Sequence, residues 1–123
     1  MVIDRMERDV PTCQLDDSLA EAKRRAEKLG FNLCPVVNKQ GIVLGLIRQE
    51  MWKGDLDVSA ESVMQLGPIT FRPSYSVDDA TEFLSKHDWG SALVTSSDGK
   101  LMGIFRRELS AEKKQIPKSE IWA

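Results

Sequence analysis

Two arginines stand at the same place in a short motif that occurs twice in the sequence. Arg48 follows Gly45 by three residues, and Arg106 follows Gly103 by three residues. The guanidinium group is a permanently charged, forked donor that suits phosphate and carboxylate groups. A glycine inside a strand marks a bulge or leaves room for the close approach of a ligand or another backbone segment. The motif therefore indicates either an anion-binding site or, in the alternative, ion pairs at the surface or between the two copies, with Glu50 or Glu108 as partners.

Few other side chains in the sequence are suited to catalysis or metal binding. Cys13 and Cys34 have neither CxxC spacing nor a histidine nearby, so a zinc site is excluded and two buried, reduced thiols are favoured over a redox switch. His87 is the single histidine, which removes most catalytic arrangements. Because the sequence supplies no nucleophile–base pair and no metal-ligand set, we predict that the protein is not an enzyme.

The sequence repeats itself with an offset of 58 residues. Ten of the 46 positions from 6 to 51 are identical to the residue 58 positions later, whereas about two or three identities are expected by chance from average residue usage. The chain therefore contains two copies of a unit of about 50 residues, which is marginal as a fold on its own. We expect the copies to pack around a pseudo-two-fold axis and neither copy to fold alone.

Each copy has the same order of predicted elements. Ser18 and Ser76 each precede a carboxylate by three residues, the capping-box spacing, and predict helices that run to about Gly30 and Asp88. Short apolar runs rich in β-branched residues follow each helix and predict paired strands. The strands are expected at 33–38, 42–47, 91–96 and 100–105, extended segments around 12–13 and 70–71, and short second helices near 49–53 and 107–113. The unit is therefore β-α-β-β-α.

Turn signals connect these elements. Asp98-Gly99 predicts a hairpin turn in which both residues have positive φ. Ser59 is expected to cap a turn over residues 60–66 that leads into the second copy.

The composition limits the class of protein. Of 123 residues, 41% are apolar and 29% are charged, which is too apolar for intrinsic disorder. The apolar runs are shorter than the roughly 18 residues that a membrane helix needs, and residues 1–8 are too charged for a signal peptide. The formal net charge of −2 argues against a broad nucleic-acid-binding surface. We expect a cytoplasmic protein that neither inserts into membranes nor binds nucleic acid.

The order, spacing and duplication of these features resemble a tandem pair of CBS domains, also called a Bateman module. The features that carry the resemblance are Met6 and Met64, the Thr-x5-Ser segments 12–18 and 70–76, Ala22 and Ala80, and the PVV-x3-G-x3-G run 35–45 with its counterpart 93–103. The resemblance covers about residues 3–112. It implies an α/β (α+β) fold of two β-α-β-β-α repeats related by a pseudo-two-fold axis. The implied units are repeat one at 1–58, repeat two at 59–112 and a C-terminal tail at 113–123.

The resemblance also implies a function. CBS pairs are non-catalytic regulatory modules that bind AMP, ADP, ATP or S-adenosylmethionine between their repeats and act on an attached or separate protein. The implied ligand contacts in this sequence are Thr12, Gly45 and Arg48, with their counterparts Thr70, Gly103 and Arg106. The expected partners are an adenosine-type small molecule, an unidentified regulated protein and a second copy of the chain. A homodimer is also expected because Phe83 widens an apolar helix face beyond what a small repeat can cover.

The sequence departs from the family pattern at the ligand positions. Arg48 and Arg106 stand where the family has threonine or serine, and Met51 and Leu109 stand where it has aspartate. The first change favours phosphate recognition, whereas the second removes the carboxylate that meets ribose. The alternative interpretation is therefore a degenerate CBS pair that serves as a structural or dimerisation module without a nucleotide.

Overall fold

The computed structural model describes residues 1–107, which form two α+β halves. The helices and strands are α1 (Leu19–Lys28), β1 (Leu33–Val37), β2 (Val43–Arg48), α2 (Ala60–Val63), β3 (Gln65–Leu66), β4 (Thr70–Phe71), α3 (Val77–Lys86), β5 (Ser91–Thr95) and β6 (Leu101–Arg106). Two 3-10 turns lie at Val2–Asp4 and Gln49–Lys53. The predicted second helix of repeat two and the tail at 113–123 lie, from residue 108 on, outside the described residues.

The two long helices begin at the predicted serines. The hydroxyl oxygen of Ser18 accepts a hydrogen bond from the Glu21 backbone N–H at 3.1 Å, and that of Ser76 accepts one from the Asp79 N–H at 3.2 Å. Both helices end two residues earlier than predicted. The chain turns out of each helix through a left-handed residue, Gly30 with φ of 78° and Asp88 with φ of 57°.

Each half contributes one three-stranded sheet, with strand orders β1-β2-β3 and β4-β5-β6. The two hairpins have the same register, because Leu33 pairs with Arg48 and Ser91 pairs with Arg106. In the second half, β4 pairs in parallel with β5. In the first half, Cys13 makes a single parallel bridge to the neighbouring strand. The predicted pairs of strands are therefore confirmed in both copies.

The hairpin turns differ from the prediction. Gly99 has φ of 87°, but Asp98 does not have positive φ, so the predicted two-residue turn is wrong. The Gly99 N–H donates to the Ser96 carbonyl at 3.0 Å, and the strand register shifts between Val94 and Thr95. This is a four-residue turn closed by one left-handed glycine, and the register shift leaves Met102 as the extra residue of a bulge in β6.

The segment after Ser59 also differs from the prediction. The helical turn capped by Ser59 ends at Val63 rather than continuing through Leu66. Gln65–Leu66 instead forms β3, which pairs with β2 of the first half. The isolated turn predicted over 60–66 is thus replaced by a short helix and an edge strand.

The halves exchange the segments that precede their sheets. A Cβ atom on Gly103 would lie 2.5 Å from the Glu7 carbonyl oxygen, and one on Gly45 would lie 2.6 Å from the Met64 sulfur. The N-terminal segment therefore packs on β6 of the second half, and the segment around Met64 packs on β2 of the first. Both alternatives for the strand glycines are present, because a register shift lies beside each glycine and another chain segment approaches it closely.

The two halves also share their core. Leu93 and Ile104 of the second half are buried with α1, β1 and β2 of the first half. Val2 and Met6 of the N-terminal segment are buried with α3, β5 and β6 of the second half. Each half therefore depends on apolar side chains that the other half provides.

Candidate functional site

The six residues predicted to contact a ligand do not form one site. Arg48 and Arg106 lie at the seam where the halves meet. Thr70 lines a cleft to which both halves contribute residues, and Thr12 lines a groove beside α1. The space beside Gly45 and Gly103 is filled by the exchanged segments.

Arg106 joins the halves by three contacts. Its Nε donates to Glu7 Oε2 at 2.8 Å, and its Nη2 donates to the Gly30 carbonyl at 3.0 Å. Its guanidinium carbon lies 3.9 Å from the ring centre of Phe31 in the other half, a cation–π distance. Among the sequence-based alternatives for this arginine, an ion pair between repeats is present, and Glu7 is the partner.

Arg48 makes the reciprocal contact. Its guanidinium carbon lies 4.8 Å from the ring centre of Trp89 in the second half. Burial lowers the pKa of Arg48, and the nearby Glu50 opposes that shift, so the group remains charged at neutral pH. Trp89 and Phe31 are counterparts in the repeat, so each half offers an aromatic ring to the arginine of the other.

A cavity of about 300 Å³ lies at this seam. Residues from both halves line it: Gly30, Phe31, Asn32, Gly90, Ser91 and Arg106. Asn32 and Gly90 immediately precede β1 and β5, and the hairpin register brings Arg106 to the same end of the sheet. The arginine guanidinium at this cavity is engaged by the protein itself.

The cleft that contains Thr70 is larger and more polar, and we call it the Thr70 cleft. Its volume is about 410 Å³, and it is lined by Val43, Leu44, Gly67, Pro68, Thr70, Arg72, Thr95, Ser97, Asp98 and Gly99. Val43 and Leu44 belong to the first half, so this cleft lies between the halves. Its size is within the range of small-molecule sites.

A chain of hydrogen bonds orders the polar side of the Thr70 cleft. Arg72 Nη1 donates to Thr95 Oγ1 at 3.1 Å, and the Thr95 hydroxyl donates to Thr70 Oγ1 at 3.1 Å. The parallel pairing of β4 with β5 places these residues side by side. Because one hydrogen bond occupies only one of its five N–H groups, the Arg72 guanidinium keeps donors for an anion.

Asp98 supplies the cleft with a negative charge. The Ser96 hydroxyl donates to its carboxylate, and this hydrogen bond, with backbone hydrogen bonds, lowers the pKa of Asp98. The carboxylate therefore stays ionised at neutral pH and below, where it can accept hydrogen bonds from sugar hydroxyls. With a cation, a carboxylate and an apolar wall, the Thr70 cleft has the groups that a phosphorylated nucleoside needs.

The counterpart cleft of the first half has different chemistry, and we call it the Val37 cleft. Its volume is about 310 Å³, and it is lined by Gln14, Leu15, Asp16, Val37, Asn38 and Lys39. By the 58-residue offset, Gln14 stands in place of Arg72 and Val37 in place of Thr95. The Val37 cleft thus lacks the guanidinium and the hydroxyl chain.

Sequence reasoning missed Arg72, Thr95 and Asp98. The repeat comparison searched for shared residues, and these three are not shared between the copies. A local signal was present: Thr70 and Arg72 are two residues apart on an extended segment, which places their side chains on the same face.

The two cysteines are unpaired and buried. The hydrogen bond with Cys13, together with burial, raises the pKa of the Cys34 thiol. In residues 1–107, no helix has both the length and the apolar character to cross a bilayer. The same part of the chain contains no cluster of three or more His, Cys, Asp or Glu side chains that could hold a metal ion.

The comparison with protein families agrees with this architecture. The CBS domain profile matches residues 2–50 and 60–108. The chain belongs to the CBS domain family. It is a CBS pair, a regulatory type of module, and the two matched segments correspond to the two halves of the structure.

This CBS pair is similar to part of a longer curated protein. It is 30% identical over 112 residues to the arabinose 5-phosphate isomerase KpsF of Escherichia coli, with 85% of this chain and 34% of that protein covered. The chain thus spans about a third of the length of that curated relative.

Two of the solved structures that share this fold are complexes with small molecules. One is the CBS domain pair of protein MJ0100 in complex with 5′-methylthioadenosine and S-adenosylmethionine (TM-score 0.77, 22% identity, covering 88% of this chain and 90% of that one). The other is CBSX2 in complex with AMP (TM-score 0.74, 20% identity, covering 86% and 89%).

Proposed function

We propose that this CBS pair is a non-catalytic ligand-sensing module that binds an adenosine-containing ligand in the Thr70 cleft and acts on a separate protein. The ligand class is AMP, ADP, ATP or S-adenosylmethionine. The adenosine ligands of MJ0100 and CBSX2, which share the fold, support this class.

One observation carries the proposal: the Thr70 cleft joins a charged pair of groups to an apolar wall from the other half. We assign the Arg72 guanidinium to the phosphate or carboxylate of the ligand. Asp98 accepts hydrogen bonds from the ribose hydroxyls, in place of the aspartate that the sequence lacks after β2 and β6. Val43 and Leu44 pack against the base. A ligand in this cleft contacts both halves, so a change in its binding can be transmitted to the surface of the module.

Calorimetric titration with AMP, ATP, S-adenosylmethionine and adenosine tests the proposal. Arg72→Met removes a charge-assisted contact worth about 1.5–3 kcal/mol, so AMP binding is expected to weaken roughly ten- to a hundred-fold while adenosine binding is spared. Asp98→Asn is expected to weaken all four ligands, because the ribose is common to them.

A matched control is Arg8→Met, which removes the same charge from an exposed position of the N-terminal segment. It is expected to leave the affinity unchanged. Equal affinities of the Arg72→Met variant and the unmodified protein for AMP would exclude the assigned role of Arg72.

The phosphate role of Arg48 and Arg106 stays a prediction with its own test. Their contacts with Trp89, Phe31 and Glu7 support a role in joining the halves. If either arginine also meets phosphate, its substitution by alanine weakens AMP and ATP but not adenosine. The Thr70 cleft predicts the converse, with unchanged nucleotide affinity in both alanine variants.

The engaged seam arginines and the filled glycine positions favour a second candidate, a structural or dimerisation module without a nucleotide. A thermal-shift screen separates the two, because a ligand at 100 times its dissociation constant adds about 2.7 kcal/mol of stability. A protein that none of the adenosine ligands stabilises would be assigned to the structural function.

We further propose that the chain forms a homodimer and is cytoplasmic. Leu29 and Tyr75 are exposed apolar side chains beside α1 and α3, and Phe83 on α3 is only partly buried, which supports a homodimer. The two unpaired cysteines support a reducing compartment. The proposed regulated protein is a separate chain.

A further inference from the structure

The first turn of α1 is covered by a segment that follows β2 in the same half. The Leu19 N–H donates to the Val58 carbonyl at 2.9 Å, and the Ala20 N–H donates to the Leu56 carbonyl at 3.0 Å. The side chains of Leu56 and Val58 pack against the core of the first half. Two of the N–H groups that a helix leaves unpaired at its start are thereby satisfied, and an apolar cover is added.

The first turn of α3 has no such cover within residues 1–107. Val77 and Asp78 are the counterparts of Leu19 and Ala20 by the 58-residue offset. Their backbone N–H groups make no hydrogen bond to any residue from 1 to 107. Val77 is only partly buried, whereas Leu19 is 1% exposed. The start of α3 therefore presents two donors and an apolar side chain that the equivalent helix has covered.

The N-terminal segment fills only the neighbouring part of this place. In the first half, the Ala60 N–H donates to the Asp17 carbonyl at 2.7 Å. In the second half, the Val2 N–H donates to the Tyr75 carbonyl at 2.8 Å, and these two pairs are counterparts by the offset. The N-terminal segment thus takes the place of residue 60 and those after it. No residue from 1 to 107 makes the hydrogen bonds of Leu56 and Val58 there.

We propose that residues 114–116 of this chain cover the start of α3 in the way that residues 56–58 cover the start of α1. In this arrangement the Ile116 carbonyl accepts from the Val77 N–H, and the Lys114 carbonyl accepts from the Asp78 N–H. The Ile116 side chain packs on Val77. The covering segment ends at residue 116, because Val2 already holds the place that residue 118 would take.

The tail has the length that this contact needs. Residue 114 follows Arg106, the end of β6, by the same number of residues as Leu56 follows Arg48, the end of β2. The two hairpins have the same register, and both helices begin after an equivalent serine cap. The distance from the sheet to the helix start is therefore matched in the two halves, and the tail reaches α3 as the linker reaches α1.

The charge of the tail also matches this surface. Residues 113–118 read Lys-Lys-Gln-Ile-Pro-Lys and carry three lysines with no acidic residue. The first turn of α3 carries Asp78 and Asp79, and Glu82 follows on the next turn. Opposite charges on the segment and on the helix favour this contact and its alignment.

Amide hydrogen exchange of the full chain, measured residue by residue by NMR, tests the proposal. The Val77 and Asp78 amides are expected to be protected within roughly tenfold of the Leu19 and Ala20 amides, because the same hydrogen bonds cover them. Ile116→Ser removes the apolar contact and is expected to lower the protection of Val77 and Asp78 about tenfold or more. The Leu19 and Ala20 amides of the same sample are expected to stay unchanged.

Ile121→Ser is the matched control, because it makes the same substitution further along the tail. The place of its counterpart, Val63, lies in the part that the N-terminal segment fills. The protection of Val77 and Asp78 is expected to be the same in this variant as in the unmodified protein. Far-UV circular dichroism establishes that both variants are folded.

Each result decides for or against the tail. Val77 and Asp78 amides that exchange at the unprotected rate in the unmodified protein overturn the proposal without the need for a variant. Equal losses of protection in Ile116→Ser and Ile121→Ser overturn the assignment to residues 114–116. Protection that rises with protein concentration overturns it in favour of the tail of a second copy. Protection that is independent of concentration and lost only in Ile116→Ser supports it.

Discussion

The two halves have nearly the same backbone but different clefts. In the second half, Arg72, Thr95 and Thr70 form a hydrogen-bonded chain in a cleft that an ionised Asp98 also lines. In the first half, the positions of Arg72 and Thr95 are taken by glutamine and valine. The register of the hairpins, the helix caps and the glycines that admit the exchanged segments are common to both halves. The duplicated residues therefore specify the frame, and the residues that diverged specify the different chemistry of the two clefts.

At the seam between the halves, unlike in the clefts, equivalent residues of the two copies make equivalent contacts. Arg48 stacks on Trp89, and Arg106 stacks on Phe31. These pairs are equivalent under the 58-residue offset, so the symmetric residues join the halves to each other. Repetition of a charged residue in both copies is thus better explained here by inter-repeat packing than by two ligand sites.

Separate expression of the two halves is expected to have the largest effect on folding. Residues 1–58 and 59–123 expressed separately are expected to show no cooperative thermal transition. Each loses the segment that fills its strand glycine and the side chains that complete its core. Differential scanning calorimetry makes the measurement. A sharp two-state transition in either fragment would contradict the shared core.

Substitution of the strand glycines is expected to destabilise the two halves by different amounts, because different atoms occupy the space beside each glycine. A Cβ on Gly103 would meet a backbone carbonyl, whereas a Cβ on Gly45 would first meet the flexible Met64 side chain. We expect Gly103→Ala to cost about 3 kcal/mol and Gly45→Ala about 1–2 kcal/mol of unfolding free energy. Urea denaturation measures both.

The control for this pair is Gly54→Ala, since no atom lies within 4 Å of a Cβ placed there. Its unfolding free energy is expected to stay within about 0.5 kcal/mol of the unmodified protein. If Gly45→Ala proved the more damaging substitution, the description of the exchanged segments would be wrong.

Much of the fold could be predicted from the sequence because its signals are local. The serine caps, the apolar runs and the turn glycines each act within a few residues, and the duplication repeats them, so Ser18 and Ser76 confirm each other. The exchange of the Met6 and Met64 segments could not be predicted in this way. It depends on which edge of which sheet is free once both hairpins have formed, a tertiary property without a local signal.

The candidate site was less predictable for a related reason. The family resemblance predicted ligand contacts at the residues after the strand glycines, where both copies have arginine. The polar chain of the Thr70 cleft joins two strands whose pairing is long-range, because Thr70 and Thr95 are 25 residues apart. The charge on Asp98 becomes relevant to a ligand only when the hairpin turn places this residue in the same cleft as Arg72.

The number of AMP molecules that one chain binds tests the proposal that a ligand site is present in the cleft of the second half and absent from that of the first. Native mass spectrometry of the protein with saturating AMP is expected to show one AMP per chain. At an AMP concentration near the dissociation constant, the adduct is expected to be strongly reduced in Arg72→Met but kept in Gln14→Met. Those two substitutions occupy equivalent positions in the two halves, so each serves as the control for the other. Two AMP molecules per chain, or an adduct that depends on Gln14 rather than Arg72, would contradict the assignment of the ligand site to the second half.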